Sequence, residues 1–581
     1  MPVTRRRSAV SPGSAVRCGG TILLVVMAML SVPVLARAQA ALPLERPTDR
    51  PPIELPPLLE EEMPSVLPPV PAPTLGEIQG DAEGDRVLVE SVEFEGNTAI
   101  DSATLSEAIE PFLGQALAAE GLEALRRRVT EVYIAAGHVA SGALIPPQDL
   151  REGRLRIRIV EARLTEIAVR GLEHYRSAIL RARVRRGIRE PLDIHDVEKQ
   201  LRLLDQDPRI EQINGQIRPG AERGEAILEL VVVERDPRQL TLAFDNDESP
   251  SVGAYAGRVG VSHDNVTGAG DRFDALFTRT EGLTRISALY DRPIHPSGTR
   301  IFVDGGFGHA ELVDNILRNL QVDSSDARLG VGLAQTVWHT PADRVDLSVL
   351  FERRRSKTEL LGSGFSFIPG PQNGRSEIQV VRLGADWTHR GLSSVLAMRS
   401  QWTFGTDWLN PTTQRGDGRP GDTPDAIFFS WYGQVRAVHR FHRSGIELGF
   451  RGDIQLSDRP LLSLEQFALG GRGSVRGYRR NQIVRDQGFA TALDLRLPIV
   501  TAADGRSIVA LTPFVDFGYV WNQDRKTPGI QTLSGIGAGL DWRPHPQLDF
   551  GLEYAHGFRN TGDSNDLSDE SVYLRATWRA F

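Results

Sequence analysis

A glycine- and arginine-rich stretch, FALGGRGSVRGYRRN at Phe467–Asn481, combines the residue types in this chain that are best suited to hold an anionic group. Arginine offers a planar, permanently charged fork that binds a carboxylate through two hydrogen bonds, and glycine lets the backbone turn tightly around it. The residues of these two types are Gly470, Gly471, Gly473, Gly477, Arg472, Arg476, Arg479 and Arg480. A loop of this length is normally disordered or functional, and a solvated basic surface loop is the plain alternative. The elements around the stretch decide between them.

The rest of the chain shows no constellation typical of an enzyme. The histidines lack HExxH or paired metal-ligand spacing, no serine stands in a G-x-S-x-G turn, and the glycine-containing stretches lack strand-to-helix phosphate geometry. We therefore expect no catalytic residues, no cofactor and no bound metal. The formal net charge of −8 argues against nucleic acid as a partner, so the basic clusters at 126–128 and 181–186 are expected to be solvated helix faces.

Residues 1–38 have the features of an export signal. Arginines at positions 5–7 precede an apolar run, Thr21–Leu35, and Ala36–Ala38 offers small residues for cleavage. The run is shorter than the about 20 residues that a membrane helix needs, and a retained anchor is the alternative. The sole cysteine, Cys18, lies in this segment, so the mature chain would have no disulfide. No long apolar run recurs, so any membrane insertion must use strands.

Residues 39–85 are rich in proline, which fixes φ and removes amide donors, so we expect an extended periplasmic linker. An acidic patch at Glu60–Glu62 also favours solvent over a packed core. Only Leu58–Met63 could form a short turn of helix, which leaves a weak plug segment as an open alternative.

Two α/β units follow, at residues 86–162 and 163–236. Each is expected to have the order strand, helix, helix, strand, strand, because its strands alternate polar and apolar residues and its helices repeat apolar residues at spacings of three and four. The second helix carries this spacing from Leu122 to Tyr133 in the first unit and from Ile194 to Leu204 in the second.

From residue 237 to residue 581, alternation of apolar and polar residues replaces helical periodicity, and we predict sixteen strands. A soluble sandwich also alternates, so the connections matter more. Those before the sixth, eighth, tenth and twelfth strands are long and those before the fifth, seventh, ninth and eleventh are short, as in outer-membrane barrels. The even strand number puts both termini, and hence both α/β units, on the periplasmic side.

The glycine- and arginine-rich stretch lies in the connection 458–486 between the eleventh and twelfth strands, the sixth outward-facing loop. On the thirteenth strand, Asp516 falls on the lumen-facing side together with Phe514 and Gly518. A carboxylate inside a narrow lumen is costly unless it is paired, and an arginine of the loop could pair with it.

Several motifs resemble those of two-partner secretion transporters and of the wider superfamily that joins POTRA modules to a barrel. QDLREGRL at Gln148–Leu155 is similar to their first POTRA module, and PLDIHDVEKQLRLLDQDP resembles the second. VRGY at Val475–Tyr478 and FVDFG at Phe514–Gly518 are similar to their loop and barrel-wall motifs. The resemblance implies the fold class, which is α+β periplasmic POTRA modules followed by an all-β 16-stranded transmembrane β-barrel. It also implies that the loop folds back into the lumen.

We hypothesise a latch between Arg476 and Asp516, with Arg472, Arg479 or Arg480 as alternative partners of that carboxylate. The other latch residues are Val475, Gly477 and Tyr478. Residues expected to support the loop and wall are Gly470, Gly471, Gly473, Phe514 and Gly518.

By resemblance, the protein is expected to be an outer-membrane transporter of a Gram-negative bacterium. It would capture an unfolded exoprotein of haemagglutinin, haemolysin or adhesin type and thread it through the lumen without ATP. An extended client segment could add to a POTRA strand edge, either beside Leu228–Val233 or beside Ala143–Leu155. The candidate recognition residues are Gln148, Asp149, Leu150, Gly153, Leu228 and Leu230. An outer-membrane insertase and a passive porin are the alternatives.

The other expected partners are outer-membrane lipid and the barrel-assembly machinery. That machinery usually reads an alternating terminal strand, and the chain ends in Phe581. The lipid-facing set of the last strand, from Val572 to Ala580, is one residue out of step with this phenylalanine. Recognition through the usual terminal signal is therefore left open.

Overall fold

The structure, a computed structural model, describes residues 53, 55–58, 86–313, 321–413, 423–441, 445–561 and 571–581. The predicted signal peptide and most of the predicted linker, including the possible plug helix beyond Leu58, lie outside the described residues. A described piece of the linker touches the barrel, because the Pro57 carbonyl accepts a hydrogen bond from Arg390 Nε (2.9 Å). None of the helices in the described ranges combines the length and hydropathy that a bilayer span requires.

The first α/β unit packs two helices against a three-stranded sheet. Its elements are β1 Val87–Val89, β2 Ser91–Glu95, α1 Ser102–Ile109, β3 Gln115–Leu117, α2 Ala119–Ala135, β4 Gly142–Leu144 and β5 Arg154–Val160. β5 is central, parallel to β2 and antiparallel to β4, while β1 and β3 form a separate pair. Asp101 caps α1 by accepting a hydrogen bond from the Thr104 backbone N–H (2.7 Å). The apolar faces of both helices close over Leu155 and Ile157 of β5.

The second α/β unit has the same layered arrangement. Its elements are β6 Arg163–Arg170, α3 Ser177–Arg186, α4 Ile194–Asp205, β7 Ile210–Pro219 and β8 Glu225–Glu234. β8 is central, parallel to β6 and antiparallel to β7. Leu180, Val197 and Leu201 of the helices pack on the sheet. Apart from the short β1–β3 pair, both units have the predicted order of strand, helix, helix, strand, strand.

Sixteen antiparallel strands close into a barrel, which confirms the predicted number. They are β9 Arg238–Asp245, β10 Ala256–His263, β11 Arg272–Arg279, β12 Leu283–His295, β13 Thr299–Glu311, β14 Val322–His339, β15 Asp343–Leu360, β17 Arg375–Arg390, β18 Ser394–Thr406, β19 Phe429–Arg440, β20 Glu447–Ser457, β23 Gln487–Thr501, β24 Ser507–Trp521, β25 Thr532–His545, β26 Leu548–Gly557 and β27 Val572–Arg579. The additional short strands are β16 Ser363–Gly364, which extends a hairpin from β15, and β21 Phe467–Leu469, which pairs with β22 Ile483–Arg485. β27 pairs with β9 and closes the barrel.

The connections and faces of the barrel follow the predicted pattern. Turns of three to six residues precede β13, β15, β18 and β20, and longer connections precede β14, β17, β19 and β23. Along β24, Val515 and Phe517 are exposed on the outer face, whereas Phe514 and Asp516 are buried toward the lumen. This alternation is what a strand with one lipid face and one lumen face requires.

Most arginines of the two basic clusters are exposed, as expected for solvated helix faces, but some of them also make specific contacts. Arg126 is buried, pairs with Glu123 and donates to the Ala143 carbonyl (3.0 Å). Arg185 donates to the carbonyls of Leu164 (3.1 Å) and Thr165 (3.0 Å). The periodicity of the sequence places these arginines on helices, but it does not show that strand carbonyls lie within their reach.

The second α/β unit docks on a turn of the barrel between β10 and β11. The Arg176 backbone N–H donates to the Gly268 carbonyl (2.9 Å), and Arg209 Nε donates to the Asp264 carbonyl (2.6 Å). These bonds fix the unit against the periplasmic mouth of the barrel.

Asp207 organises the charges at this docking surface. It is buried and pairs with Arg183 (2.7 Å) and Arg209 (3.0 Å). Burial raises the pKa of Asp207, but the two guanidinium groups outweigh it and hold that pKa below its ordinary value. Asp207 therefore keeps Arg209 oriented toward the barrel turn.

Candidate functional site

The connection between β20 and β23, residues 458–486, runs back into the barrel. Its stem is the β21–β22 hairpin, paired at Phe467 with Arg485 and at Leu469 with Ile483. Residues 460–471 are all buried. The loop therefore occupies the lumen, as the resemblance implied.

Glycines of the barrel wall make room for the stem. A Cβ atom on Gly488 would lie 2.7 Å from the Phe467 ring, and one on Gly518 would lie 2.3 Å from the Leu469 side chain. Val475 of the tip is fully buried in the same apolar cluster. A larger residue at either glycine would displace the stem.

Gly470 and Gly471 form the narrow neck of the loop tip. Their φ angles are +113° and +90°, and a Cβ atom would meet the Arg479 carbonyl oxygen at 2.5 Å or Arg480 Cα at 2.8 Å. Both positions therefore need glycine. A Cβ atom at Gly473 meets no other atom within 4 Å, so packing does not require glycine there.

Arg476 and Asp516 meet at the loop tip. Arg476 donates from Nε to Asp516 Oδ2 (2.7 Å), from Nη2 to Oδ1 (2.7 Å) and from its backbone N–H to Oδ2 (2.9 Å). Asp516 is 1% exposed and Arg476 is 7% exposed, so the bidentate pair is largely removed from water. Losing one partner of such a pair costs about 3–5 kcal/mol, because the other charge stays buried without compensation.

Further charges surround the pair. Arg476 Nη2 also donates to Asp494 (2.7 Å), and Arg476 Nη1 lies 3.9 Å from Glu553. The guanidinium stacks on Phe514, with Cζ 3.3 Å from the ring centroid. Arg451 Nη2 lies 3.9 Å from Asp516 on the other side. The pair is therefore the centre of a network.

The residues after Arg476 fix the tip to neighbouring strands. Gly477 has φ +92°, and a Cβ atom there would lie 2.7 Å from the backbone nitrogen of Gly557. Its N–H donates to the Tyr573 hydroxyl (3.1 Å), which donates to the Tyr478 carbonyl (3.1 Å). The Tyr478 hydroxyl donates to the Ser534 carbonyl (2.8 Å). The VRGY motif thus contacts the strands from β24 to β27.

The alternative partners of Asp516 have other contacts. Arg472 Nε donates to Glu553 (2.8 Å), and Arg480 pairs with Glu248 (2.9 Å). Arg479 is not among the groups that contact Asp516 in the described part of the chain. Of the four arginines that the sequence left open, Arg476 is the one that meets Asp516.

A second ion-pair cluster ties the stem to the wall, and sequence reasoning missed it. Glu465 accepts hydrogen bonds from Arg382 Nη2 (2.7 Å) and Nη1 (3.0 Å) and from Arg354 Nη1 (3.0 Å). Arg382 also donates to Glu352 (3.1 Å). Both arginines are 2% exposed. Arg354 on β15 and Arg382 on β17 occupy inward positions, which indicated that they need partners. Glu465 is 111 residues from Arg354 and 83 residues from Arg382 in the sequence, so local pattern does not identify it.

The C-terminal end of the loop is anchored as well. Asp486 accepts hydrogen bonds from Arg525 Nη2 (2.7 Å) and Gln466 Nε2 (2.9 Å). Gln455 Nε2 donates to the backbone carbonyls of both Glu465 (2.8 Å) and Asp486 (3.0 Å). The stem is therefore held at both of its ends, independently of the tip.

A cavity of about 330 Å³ lies beside the tip. Charged residues of both signs line it, among them Arg472, Arg476, Asp494, Arg496, Asp541 and Glu553. The cavity beside the tip therefore has a strongly charged lining.

Three exposed or partly exposed side chains at the outer ends of β13 and β14 could together reach one cation. They are His309, Glu311 and Asp323, whose ligand atoms lie within 4.8 Å of one another. Exposed clusters of this kind are common without a metal, and this one lies outside the lumen.

The candidate recognition residues of the first unit shape the turn before β5. Gln148 Oε1 accepts from the Arg156 backbone N–H (2.7 Å) and Gln148 Nε2 donates to the Arg156 carbonyl (2.7 Å), as a neighbouring strand would. Leu150 packs against the apolar core, and Gly153 has φ +68°. Asp149 is the exposed member of the four.

The proposal that Leu228 and Leu230 contact a client is wrong. Both are 0% exposed in the apolar core of the second unit, and their strand β8 is paired on both sides. Alternation identified them as a core face, but it does not reveal that β8 is the central strand.

The available strand edges are restricted. In the first unit, the outer side of β4 is covered, because the Ala143 N–H donates to Thr130 Oγ1 (3.1 Å) and its carbonyl accepts from Arg126. In the second unit, Arg185 covers carbonyls of β6. The outer side of β7 pairs with no strand among the described residues.

Comparisons with known proteins agree with this architecture. Residues 224–542 match the family described as haemolysin secretion/activation protein ShlB/FhaC/HecB, and residues 87–162 match the POTRA domain, ShlB-type. The outer membrane transporter CdiB of Escherichia coli O6:K15:H31 (strain 536 / UPEC) is 24% identical over 490 residues, covering 80% of this chain and 78% of CdiB. The heme/hemopexin transporter protein HuxB of Haemophilus influenzae (strain 86-028NP) is 22% identical over 489 residues, covering 81% of this chain and 83% of HuxB.

A solved structure has the same fold. CdiB from Escherichia coli superposes with a TM-score of 0.62 at 21% identity, covering 88% of this chain and 94% of that one. The family match spans more than half of the present chain. The protein therefore belongs to the ShlB/FhaC/HecB family of haemolysin secretion/activation proteins, the outer-membrane transporters of two-partner secretion.

Proposed function

We propose that this transporter exports an extended exoprotein through its lumen and that the loop at 458–486 is the gate. The observation that carries the proposal is the buried pair of Arg476 and Asp516, which holds the loop tip inside the barrel. A charged pair that leaves water is poor at adding stability, but it defines one conformation sharply. This property suits a latch.

The gate has a fixed part and a moving part. Glu465 and Asp486 anchor the stem, while Gly470 and Gly471 give the neck backbone freedom. The tip beyond the neck leaves the wall when the Arg476 pair breaks, and the stem stays in place. Because the separated charges regain water, this step costs less than the deletion of one partner by mutation does.

The client is captured in the periplasm by β7 of the second POTRA unit. β7 is a ten-residue edge strand, and Gln212, Asn214 and Gln216 are exposed along it. An extended client segment would pair with its free backbone groups and so add a strand to the sheet. Docking of this unit on the barrel turn brings the captured segment to the mouth of the lumen.

Transport then draws on binding and on folding of the client outside, because the periplasm supplies no ATP. The protein needs no catalytic residue and no cofactor for this task. The apolar outer face of the barrel contacts outer-membrane lipid, and the barrel-assembly machinery inserts it. At the C-terminus, Leu574 and Trp578 point outward and Phe581 is exposed.

The alternatives explain fewer features of the molecule. A passive porin has no use for two POTRA units or for a loop anchored at three places in its lumen. An insertase of membrane proteins would share the fold, but the family match is to secretion proteins.

Two engineered crosslinks test the gate in the mature chain, which lacks cysteine if residues 1–38 are removed. Arg472→Cys with Glu553→Cys, bridged by a bis-methanethiosulfonate reagent, joins the tip to β26, because these two side chains are in contact at 2.8 Å. Arg485→Cys with Pro528→Cys, bridged in the same way, joins the stem to the connection between β24 and β25, because Arg485 Nη2 donates to the Pro528 carbonyl (2.6 Å). We expect the bridged tip lock to stop secretion of the cognate exoprotein and a thiol reductant to restore it, whereas the stem lock leaves secretion intact.

The control is each single cysteine variant treated with the same reagent. Secretion at the normal rate through the bridged tip lock would contradict the gate. A block by the stem lock that reduction relieves would show that the whole loop moves.

A further inference from the structure

A row of basic side chains on the outer face of the barrel has no part in the gate. Arg353, Arg355 and Lys357 alternate along β15, with side chains that are 35%, 55% and 42% exposed. The intervening Arg354 points into the lumen and is buried. Arg375 lies on the neighbouring β17, directly opposite Lys357. The row therefore faces away from the transport path.

The row begins where the lipid-facing surface ends. Leu347 and Val349 are exposed lower on β15, and the exposed Leu329 of β14 lies beside Arg353. β15 has 18 residues, whereas about 9–11 residues suffice to cross the hydrocarbon core. Arg353 therefore stands at the outer edge of the apolar band, and the next two basic side chains rise about 7 and 13 Å along the strand above it.

One carboxylate organises the lower part of the row. Glu377 of β17 accepts from Arg353 Nε (2.6 Å) and from Arg355 Nε (2.9 Å) with its two oxygens. Two guanidinium groups share one negative charge, so a net positive charge remains. The shared carboxylate also holds the two guanidinium groups side by side, which is the arrangement that a doubly charged anion needs.

In the upper part of the row, Lys357 and Arg375 face each other across β15 and β17, and like charges in directly opposite positions are destabilising. Lys357 pairs with Glu359 on its own strand, which offsets part of this repulsion. Asp323 of β14 lies opposite Glu359, so the negative charge is on the β14 side and the excess positive charge lies between β15 and β17. An anion bound between these two strands would reduce the remaining repulsion.

The outer ends of two other strands carry aromatic side chains instead of a basic row. At the outer edge of β24 the outward positions hold Tyr519 and Trp521, and on β26 they hold Tyr554 and Phe558. These aromatic side chains suit an ordinary membrane interface. The basic row on β15 and β17 does not suit such an interface unless an anionic group lies beside it.

We propose that this face binds the phosphate of a phosphorylated glycolipid headgroup in the outer leaflet. Arginine forks match phosphate oxygens in pairs, and the phosphate of such a lipid lies at the edge of the apolar band. Its acyl chains would cover Leu329 and Val349 below while Arg353 and Arg355 hold the phosphate. This continuity of apolar and basic surface selects a lipid over a free anion.

The test uses the full-length protein in nanodiscs of phosphatidylcholine with added lipid A, and measures bound lipid A by native mass spectrometry. The variants are Arg355→Gln and the quadruple change of Arg353, Arg355, Lys357 and Arg375 to Gln. The matched control is Arg279→Gln, which removes a single outward arginine above Phe277 at the outer end of β11. Retention of the folded barrel is checked by its heat-dependent shift on a gel.

We expect the quadruple variant to bind lipid A about tenfold more weakly or worse, given the size of the effect of each basic residue near an anionic headgroup. Arg355→Gln should weaken binding several-fold and Arg279→Gln should leave it unchanged. Lipid A without its phosphates should bind as weakly to the wild-type protein as lipid A binds to the quadruple variant.

Equal binding of lipid A by the wild-type protein and the folded quadruple variant would overturn the proposal. Equal binding of the dephosphorylated lipid would also overturn it. Displacement of lipid A by millimolar inorganic phosphate would identify a site for free anions, which is likewise against a lipid site.

Discussion

Glu465 of the inserted loop accepts hydrogen bonds from both terminal nitrogens of Arg382 on β17, at 2.7 and 3.0 Å. The same carboxylate meets Arg354 of β15, so one loop residue joins two strands of the wall. Arg476 joins the tip of the loop to β24 through Asp516. The lumen therefore holds two separate ion-pair anchors that serve different parts of one loop.

Replacing Glu465 by Ala should loosen the stem. Two buried guanidinium groups would lose a partner, with a cost of about 3–5 kcal/mol, and Glu352 would remain as the partner of Arg382. We expect faster hydrogen exchange at the β21–β22 hairpin and leakier conductance in planar bilayers. Glu311→Ala, which removes an exposed carboxylate, is the control. Unchanged exchange in the Glu465 variant would show that the anchor is dispensable.

Neutralising Arg476 and Asp516 should reveal their coupling. Arg476→Gln and Asp516→Asn each leave a buried charge without its partner, so each should reduce secretion and raise conductance. The double variant should lose less than the sum of the two, because neither charge then remains. Strict additivity would mean that the pair is not coupled.

A charge swap at these positions is a weaker test. An aspartate at 476 would face Asp494 and Glu553, and an arginine at 516 would face Arg451. We therefore expect only partial rescue when Arg476→Asp and Asp516→Arg are combined. Full rescue of secretion would show that these neighbouring charges have little influence on the latch.

Two glycines of the tip should respond differently to alanine. Gly477→Ala meets both a positive φ and the backbone of Gly557, so it should displace the tip and impair gating. Gly473→Ala meets open space and should change stability by less than about 0.5 kcal/mol. Conductance and secretion are measured for both variants. Equal effects would mean that the packing around Gly477 is not limiting.

Client capture by β7 can be checked with a photo-crosslinking amino acid. Placed at Gln216 on the open edge, it should crosslink to the exoprotein during secretion. Placed at Thr165 on β6, whose carbonyls are covered by Arg185, it should crosslink weakly. Crosslinking from Thr165 alone would move the capture site to the other side of the sheet.

Folding of the second POTRA unit should depend on pH through Asp207. Its pKa in the folded protein is below the ordinary value near 4, so the unfolded state binds the proton more readily. The stabilisation is therefore complete above about pH 4 and is lost as the pH falls through the folded pKa. Hydrogen exchange of α3 and β8 should become faster at low pH than the intrinsic rate alone predicts. Asp207→Asn should show this loss of protection already at pH 7, and unchanged protection in this variant would contradict the prediction.

Alternation and motif together predicted the part of the site that depends on local pattern. The alternation placed Asp516 on the lumen face of its strand, because a period of two fixes which side chains share a face. The VRGY motif indicated that the loop reaches this carboxylate. Neither signal identified Glu465 as a contact of the wall, since nothing in the residues around a loop carboxylate indicates two arginines on strands far earlier in the chain. Such pairings depend on how deep the loop sits in the lumen.

In the POTRA units, too, the sequence predicted only the features that depend on local pattern. Periodicity predicted the order of helices and strands along the chain, but it did not predict which strand lies in the middle of the sheet. Leu228 and Leu230 were therefore mistaken for contacts of the client, although β8 is the middle strand. Arg126 was expected in solvent for the same reason, because only the packed unit shows which strand carbonyls face each helix.

The barrel rim is far from level. β14 and β15 have 18 residues each, whereas β9, β10, β11 and β27 have eight. Ten extra residues correspond to about 33 Å along a strand, so the wall at β14 and β15 extends much farther than the wall at β27, β9, β10 and β11. We therefore expect a chain that emerges from the lumen to meet a longer protein surface on the β14–β15 side than on the side where the barrel closes.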